Sequence, residues 1–283
     1  MSVLRERMLE DLRVRNYSVH TQAAYIGRVA KYAEHFGKCP SLLGPEQIRD
    51  YQVFLVREQH ASWTLFNQTV CALRFLYRTT LGKGWIIRHI PYAKTERPLP
   101  VVLSPSEVKA LIDATDNVKH RSILMTAYAG GLRVSEVAQL EIKDIDSSRM
   151  LIHIRRAKGK KDRMVPLSPL LLPLLRDYWR RTRPKVYLFP GQNTECPIAS
   201  STINRVCHHA ARRAGIAKRV TPHTLRHTFA THHLEAGTDL RTLQIIMGHS
   251  SLNTTSRYLR ISTERICSAK TPLDLLSDFQ IKG

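Results

Sequence analysis

Apolar residues at helical spacing run through the first ninety positions. Tyr25, Val29, Tyr32 and Phe36 recur at intervals that place them on one helical face, and Ile48, Tyr51 and Leu55 make a second such stripe. Leu65, Phe66, Val70, Leu73, Leu76 and Tyr77 make a third. Gly37, Gly44 and the Gly82-Lys83-Gly84 turn break the pattern between and after the stripes. Arg5, Arg7, Arg13, Arg15, Arg28, Lys31, Arg74 and Arg78 fall among the apolar positions, so a small helical bundle with a basic exterior is predicted. Periodicity then stops. Residues 91–100 hold three prolines and read as an extended linker.

Beyond the linker the pattern is mixed. Ser104-Pro105-Ser106-Glu107 has an N-cap Ser, a Pro at the first helical position and a Glu placed to close a capping box. Helices are predicted over 105–115 and 118–129, the second ended by Gly130-Gly131. Met150 to Arg155 and Arg163 to Leu167 read as strands joined by a Lys158–Asp162 hairpin turn. Ser168-Pro169 and Thr221-Pro222 repeat the cap-and-proline start, and Gly215, Gly237 and Gly248 sit where helices should end. The predicted fold class is mostly α with a small β-hairpin or sheet (α+β) in the second part. Two domains are expected, at 1–92 and 101–283, with the linker at about 91–100.

Charge narrows the partner. The 283 residues carry 44 Lys+Arg against 23 Asp+Glu, a net +21. The excess is spread: 15 basic against 8 acidic groups in residues 1–100, and 29 against 15 in the remainder. A folded surface that follows a polyanion is expected, nucleic acid being the commonest, with affinity that falls steeply with salt. Hydrophobic residues at 43% exclude wholesale disorder. No apolar run is long enough to span a membrane, and the charged Met1–Arg7 stretch lacks a signal-peptide core. Five scattered cysteines without a C-x-x-C pair fit a reducing compartment, so a cytoplasmic protein is expected.

Four clusters carry candidate chemistry. In Gly130-Gly131-Leu132-Arg133-Val134-Ser135-Glu136, an Arg follows a glycine break with a Glu three residues on, near enough to orient it. Arg155, Arg156, Lys158, Lys160, Lys161 and Arg163 put six basic residues into nine, a hairpin that suits a phosphate backbone. Thr221-Pro222-His223-Thr224-Leu225-Arg226-His227 starts a helix with His223 and Arg226 on one face, where free N–H groups already favour phosphate. His223 and His227 could instead be two zinc ligands, but no Glu follows the first His and no third ligand is evident, so no metal site is expected. Met247-Gly248-His249-Ser250-Ser251 precedes Arg257-Tyr258-Leu259.

In order and approximate spacing these clusters resemble the active site of the tyrosine recombinases, the phage-integrase and Xer family of site-specific recombinases. The H-x-L-R-H-T-F-A-T-H block and the G-H-S-S block nine residues before Tyr258 are the most specific parts, and the resemblance covers nearly the whole chain. It implies a two-domain clamp on double-stranded DNA, with residues 1–92 as the core-binding (SAM-like) domain and 101–283 as the catalytic domain. Arg133, Lys158, His223, Arg226, His249 and Tyr258 are the implied catalytic residues, His223 as the candidate base for the Tyr258 proton and His249 as a donor to a phosphate oxygen, with Glu136 in support. Lys160 and Lys161 compete with Lys158 for the role of general acid. Arg155, Arg156, Lys160, Lys161 and Arg163 are expected to contact DNA.

The implied reaction is strand cleavage by Tyr258, giving a 3′-phosphotyrosyl intermediate and a free 5′-hydroxyl, followed by exchange through a Holliday junction and rejoining. No cofactor, ATP, metal or small-molecule substrate is implied. The expected assembly is a homotetramer on two DNA sites, or a dimer on one site, nucleoid-associated when bound to DNA. Residues 271–281, with Leu273, Leu276 and Phe279 on roughly one face, are a candidate contact between protomers. Alternatives are type IB topoisomerase-like relaxation, a DNA-binding regulator without catalysis, and a metal-dependent nuclease for which Asp144 and Asp146 would be the nearest carboxylates.

Overall fold

The computed structural model describes residues 3–93, 99–155, 162–249, 251–256 and 258. Two compact units divide the chain, residues 1–97 and 98–283.

The first unit contains α1 (Val3–Val14), α2 (Val19–Phe36), α3 (Pro45–Arg57) and α4 (Trp63–Phe75). Ser18 and Ser62 cap α2 and α4 by accepting the Thr21 and Leu65 N–H groups, and Gly44 with Pro45 opens α3. The three apolar stripes meet in one core around Tyr32, Ile48, Tyr51, Val70, Leu73 and Tyr77, with Tyr25 and Phe36 packed at its rim. The third stripe does not end as a plain α-helix: Leu76–Thr80 widens into a π-type turn. That turn carries the buried Tyr77 hydroxyl, which donates to the Pro40 or Leu43 carbonyl (3.1 Å each) and receives the Tyr32 hydroxyl at 3.2 Å. Arg74 departs from the expected basic exterior. Its guanidinium is partly buried, donates to the Ile87 and Ile90 carbonyls and lies 4.9 Å from the Tyr92 ring centroid.

The second unit begins its helices with α5 (Pro105–Asp113) and α6 (Val118–Ala129). The Ser104 capping box forms as expected, with Glu107 returning to the Ser104 N–H at 2.7 Å. There follow α7 (Val134–Gln139), strands β1 (Ile145–Asp146), β2 (Leu151–Ile154) and β3 (Arg163–Pro166), then α8 (Leu171–Thr182) and α9 (Ser200–Arg213). The unit continues with α10 (Pro222–Glu235), α11 (Leu240–Met247) and α12 (Leu252–Ser256).

The strands form an antiparallel sheet in the order β1-β2-β3, with Ile152 opposite Val165 and Ile154 opposite Arg163. Ile152, Ile154 and Val165 point into a core shared with Leu111, Leu124 and Phe189. Strand β1 went unpredicted because two residues have no readable period. Asp146 lies in β1, and its carboxylate accepts the Ser148 and Arg149 N–H groups of the turn into β2. Ser168-Pro169 does not start a helix directly: Ser168 accepts the Leu170 N–H in a turn, and α8 starts at Leu171.

Two glycines shape the loops that reach the site. Gly131 has φ +56°, and a Cβ there would drive into the Phe229 ring of α10. Gly248 has φ +60° and would press a Cβ to 3.0 Å from Arg163 Cδ. Gly131→Ala is therefore expected to destabilise the second unit by about 2 kcal/mol or more, combining left-handed strain with overpacking. Thermal unfolding should show a Tm lower by several degrees.

Candidate active site

The centre of the site is a carboxylate. Glu136, in the first turn of α7, has a side chain only 5% exposed and is held by two arginines. Arg133 donates to it twice, through its backbone N–H (2.8 Å) and its guanidinium (2.7 Å). Arg163 donates through both terminal nitrogens, at 2.9 and 2.7 Å. Burial alone would raise the Glu136 carboxyl; the hydrogen bonds and charge of Arg163, with the bonds from Arg133, outweigh it and hold the group at about 2. Because that value is depressed, the stabilisation is complete above the unfolded carboxyl's value of roughly 4.3 and is lost as pH falls through about 2.

This arrangement corrects one expectation. The sequence places Arg163 in a DNA-facing basic hairpin, yet its side chain is 6% exposed and Nε donates to the Ile246 carbonyl of α11 at 2.7 Å. It joins β3, α7 and α11 beneath the site. The signal was available: Arg163 shares the strand's two-residue phase with buried Val165, not with exposed Met164. Arg155, just after β2, is exposed and pairs at 2.6 Å with the buried Asp144 carboxylate. Asp144 is thereby committed to an arginine. Arg156, Lys158, Lys160 and Lys161 lie outside the described residues, as does the 271–281 segment.

Arg226 is brought to the same place by α10. The Thr221 cap and Pro222 set the helix start, and Arg226 follows one turn later, 4% exposed. It donates to the carbonyls of Gly131 and of Met247, the latter at 2.6 Å, and lies 3.9 Å from Glu136. Burial and then the charge of Arg133 lower its guanidinium to about 10, so it remains charged at pH 7. Arg133 also reaches the Gly248 carbonyl at 3.2 Å. Both guanidiniums are thus fixed to backbone at the two loops that glycines shape. Arg133, Arg163 and Arg226 against Glu136 leave two positive charges in excess within this group.

His249, after the Gly248 cap, accepts the Arg226 N–H at Nε2 (3.1 Å), and its Nδ1 pairs with the buried Thr255 hydroxyl (2.8 Å). That pairing describes a neutral imidazole with its proton on Nδ1. Tyr258 is 2% exposed, its ring packed among Phe229, Ala230, Leu234, Leu243 and Met247. Its hydroxyl hydrogen-bonds His227 Nδ1 at 2.9 Å, and its ring centroid lies 6.4 Å from that of His249. His223, at the exposed start of α10, stacks on His227 with centroids 6.5 Å apart. Partial desolvation, then the charges of Arg226 and Arg133, lower the His223 imidazole and favour its neutral form.

Arg133, Glu136, His223, Arg226, His249 and Tyr258 therefore converge from positions far apart in the chain. His227 joins them at the tyrosine hydroxyl. Sequence reasoning noticed His227 only as a partner for His223 in a zinc pair; among the described residues, no group of three or more His, Cys, Asp or Glu could hold a metal ion.

Residues 101–265 match the Phage integrase family, and residues 4–87 match the Phage integrase, N-terminal SAM-like domain. A Sinorhizobium fredii protein named provisionally as the integrase/recombinase y4qK is 47% identical over 98% of this chain and 90% of its own length. The crystal structure of XerA recombinase aligns over 95% of this chain and 99% of its own, at 31% identity and a TM-score of 0.56. XerH site-specific recombinase bound to a palindromic difH substrate shares the fold, with a TM-score of 0.69 at 21% identity over 90% of this chain and 80% of its own. The chain belongs to the phage integrase family, the tyrosine recombinases, which break and rejoin DNA.

Proposed function

We propose that this recombinase cuts and rejoins double-stranded DNA at specific sites, with residues 101–283 as the catalytic domain and Tyr258 as the nucleophile. The observation that carries the proposal is the convergence of Arg133, Arg226, His249 and Tyr258 around a single buried carboxylate with positive charge to spare. A phosphodiester repels nucleophiles by its charge and has a poor leaving alkoxide. Arg133 and Arg226 answer the first difficulty: permanently charged planar donors, already fixed on Glu136, Gly131, Met247 and Gly248, match the phosphoryl oxygens without reorganising. His249 donates to a phosphate oxygen once its Nε2 carries the proton. Lys158 answers the second difficulty by protonating the departing 5′-oxygen.

Tyr258 attack leaves a 3′-phosphotyrosine and a free 5′-hydroxyl, and a new 5′-hydroxyl reverses the steps. The bond energy stays in the phosphotyrosine, so rejoining calls for neither ATP nor a metal. The active assembly is a homotetramer spanning two DNA sites, with residues 1–92 as the core-binding domain. The protein works in the cytoplasm, on the nucleoid when DNA-bound.

The test is strand exchange between two duplexes carrying the DNA that flanks the gene, in EDTA. Recombinant joints and resolved Holliday junctions are expected; relaxation of supercoils without exchange would indicate a topoisomerase, and abolition by EDTA a metal nuclease. The leaving-group assignment has its own test. Lys158→Ala should cleave ordinary DNA slowly but recover on a substrate with sulfur at the 5′ bridging position, since a thiolate leaves without protonation. Rescue of Lys160→Ala or Lys161→Ala instead would move the acid to that lysine.

A further inference from the structure

A phenol with an ordinary value of roughly 10 must lose its proton as it attacks at neutral pH. The Tyr258 hydroxyl lies 2.9 Å from His227 Nδ1, placed to donate its proton to that nitrogen and inside the range a general base requires. The approach is built in on both sides. His227 follows Arg226 on α10, where helix geometry stacks it on His223, and the apolar pocket of Phe229, Leu234, Leu243 and Met247 fixes the tyrosine ring. His227 is half-buried, so it belongs neither to the core nor to free solvent.

We propose that His227 is the group that takes the Tyr258 proton during cleavage and returns it during rejoining. The inference rests on Tyr258 being the nucleophile. As the bond from Tyr258 Oη to phosphorus forms and the bond from phosphorus to the 5′-oxygen breaks, the phenolic proton passes to His227 Nδ1. The 5′-oxygen takes its proton from the general acid, so charge and protons balance. In rejoining, the 5′-hydroxyl attacks phosphorus, its proton returns to the acid, and the leaving phenolate recovers its own from His227. Arg226 and Arg133 disfavour a positive charge on the neighbouring His223 in the free protein. The phosphate that docks on those arginines brings negative charge beside His227 and so favours the imidazolium that proton transfer creates.

His227→Asn separates holding from proton transfer, because Asn offers an oxygen near the Nδ1 position but cannot carry the proton. Covalent complex formation on a suicide DNA substrate would be followed against pH, with DNA binding measured alongside to establish folding. The groups around His227 that could titrate in its place are His223, His249 and Tyr258, beside the fixed charges of Arg226 and Arg133. His227→Asn should bind DNA, cleave about a hundredfold or more slowly, and lose the ionisation that limits the wild-type rate at low pH. His223→Asn should be slowed but keep that ionisation. A fluorinated, more acidic tyrosine at position 258 should shrink the His227→Asn deficit, which a merely structural defect would not do. If His227→Asn keeps the wild-type rate and profile, or His223→Asn is the variant that loses the ionisation, the proposal is overturned. A covalent adduct from Tyr258→Phe would instead remove the nucleophile on which it rests.

Discussion

Tyr258→Phe is expected to bind DNA as the unaltered protein does and to form no covalent complex at all. The substitution removes one oxygen and leaves the ring that fills the pocket of Phe229, Ala230, Leu234, Leu243 and Met247. The structural cost is the hydrogen bond to His227, roughly 1 kcal/mol, which a folded domain tolerates. The catalytic cost is of another order, because without the phenolic oxygen the covalent route does not exist. Arg133, Arg226 and His249 keep their anchors, so phosphate binding persists. Denaturing gels of a suicide-substrate reaction, beside a gel-shift titration, separate the two effects.

Arg226→Ala should lower cleavage by about a hundredfold to a thousandfold, the scale of losing a preorganised donor in a water-poor site. It should also cost stability. Arg226 is 4% exposed and donates to the Gly131 and Met247 carbonyls, and its loss strands buried acceptors at roughly 1–3 kcal/mol. Arg226→Lys keeps the charge but cannot span two carbonyls and a histidine, so it should recover part of the stability and little of the rate. Arg133→Ala should lose a comparable factor in rate with less stability, because its side chain is 19% exposed and Arg163 still neutralises Glu136. Single-turnover cleavage with matched thermal melts reads both quantities; equal melting losses for the two alanine variants would contradict this division.

What could be read from the sequence was whatever depends on neighbours in the chain. The stripes through Tyr32, Tyr51 and Leu73 bury as their spacing requires, and the cap at Ser104 and the helix-ending Gly248 do what their local chemistry dictates. Order and spacing of the motif residues carried the family. What could not be read depends on partners distant in sequence. Arg163 lies in a run of basic residues that reads as facing DNA throughout, and its bonds to Glu136 and the Ile246 carbonyl make it a buried scaffold. Arg74 is drawn inward by carbonyls more than ten residues away. His227 meets the Tyr258 hydroxyl only because the chain folds Tyr258, thirty-one residues later, against it.

The most direct test is to trap the covalent complex on its native flanking DNA in EDTA, digest it, and locate the modified residue. The mechanism predicts one phosphotyrosine, at Tyr258, joined to a 3′-phosphate, with a free 5′-hydroxyl on the other strand end. An adduct on any other residue, a 5′-linked phosphate, or cleavage with no covalent adduct would contradict it.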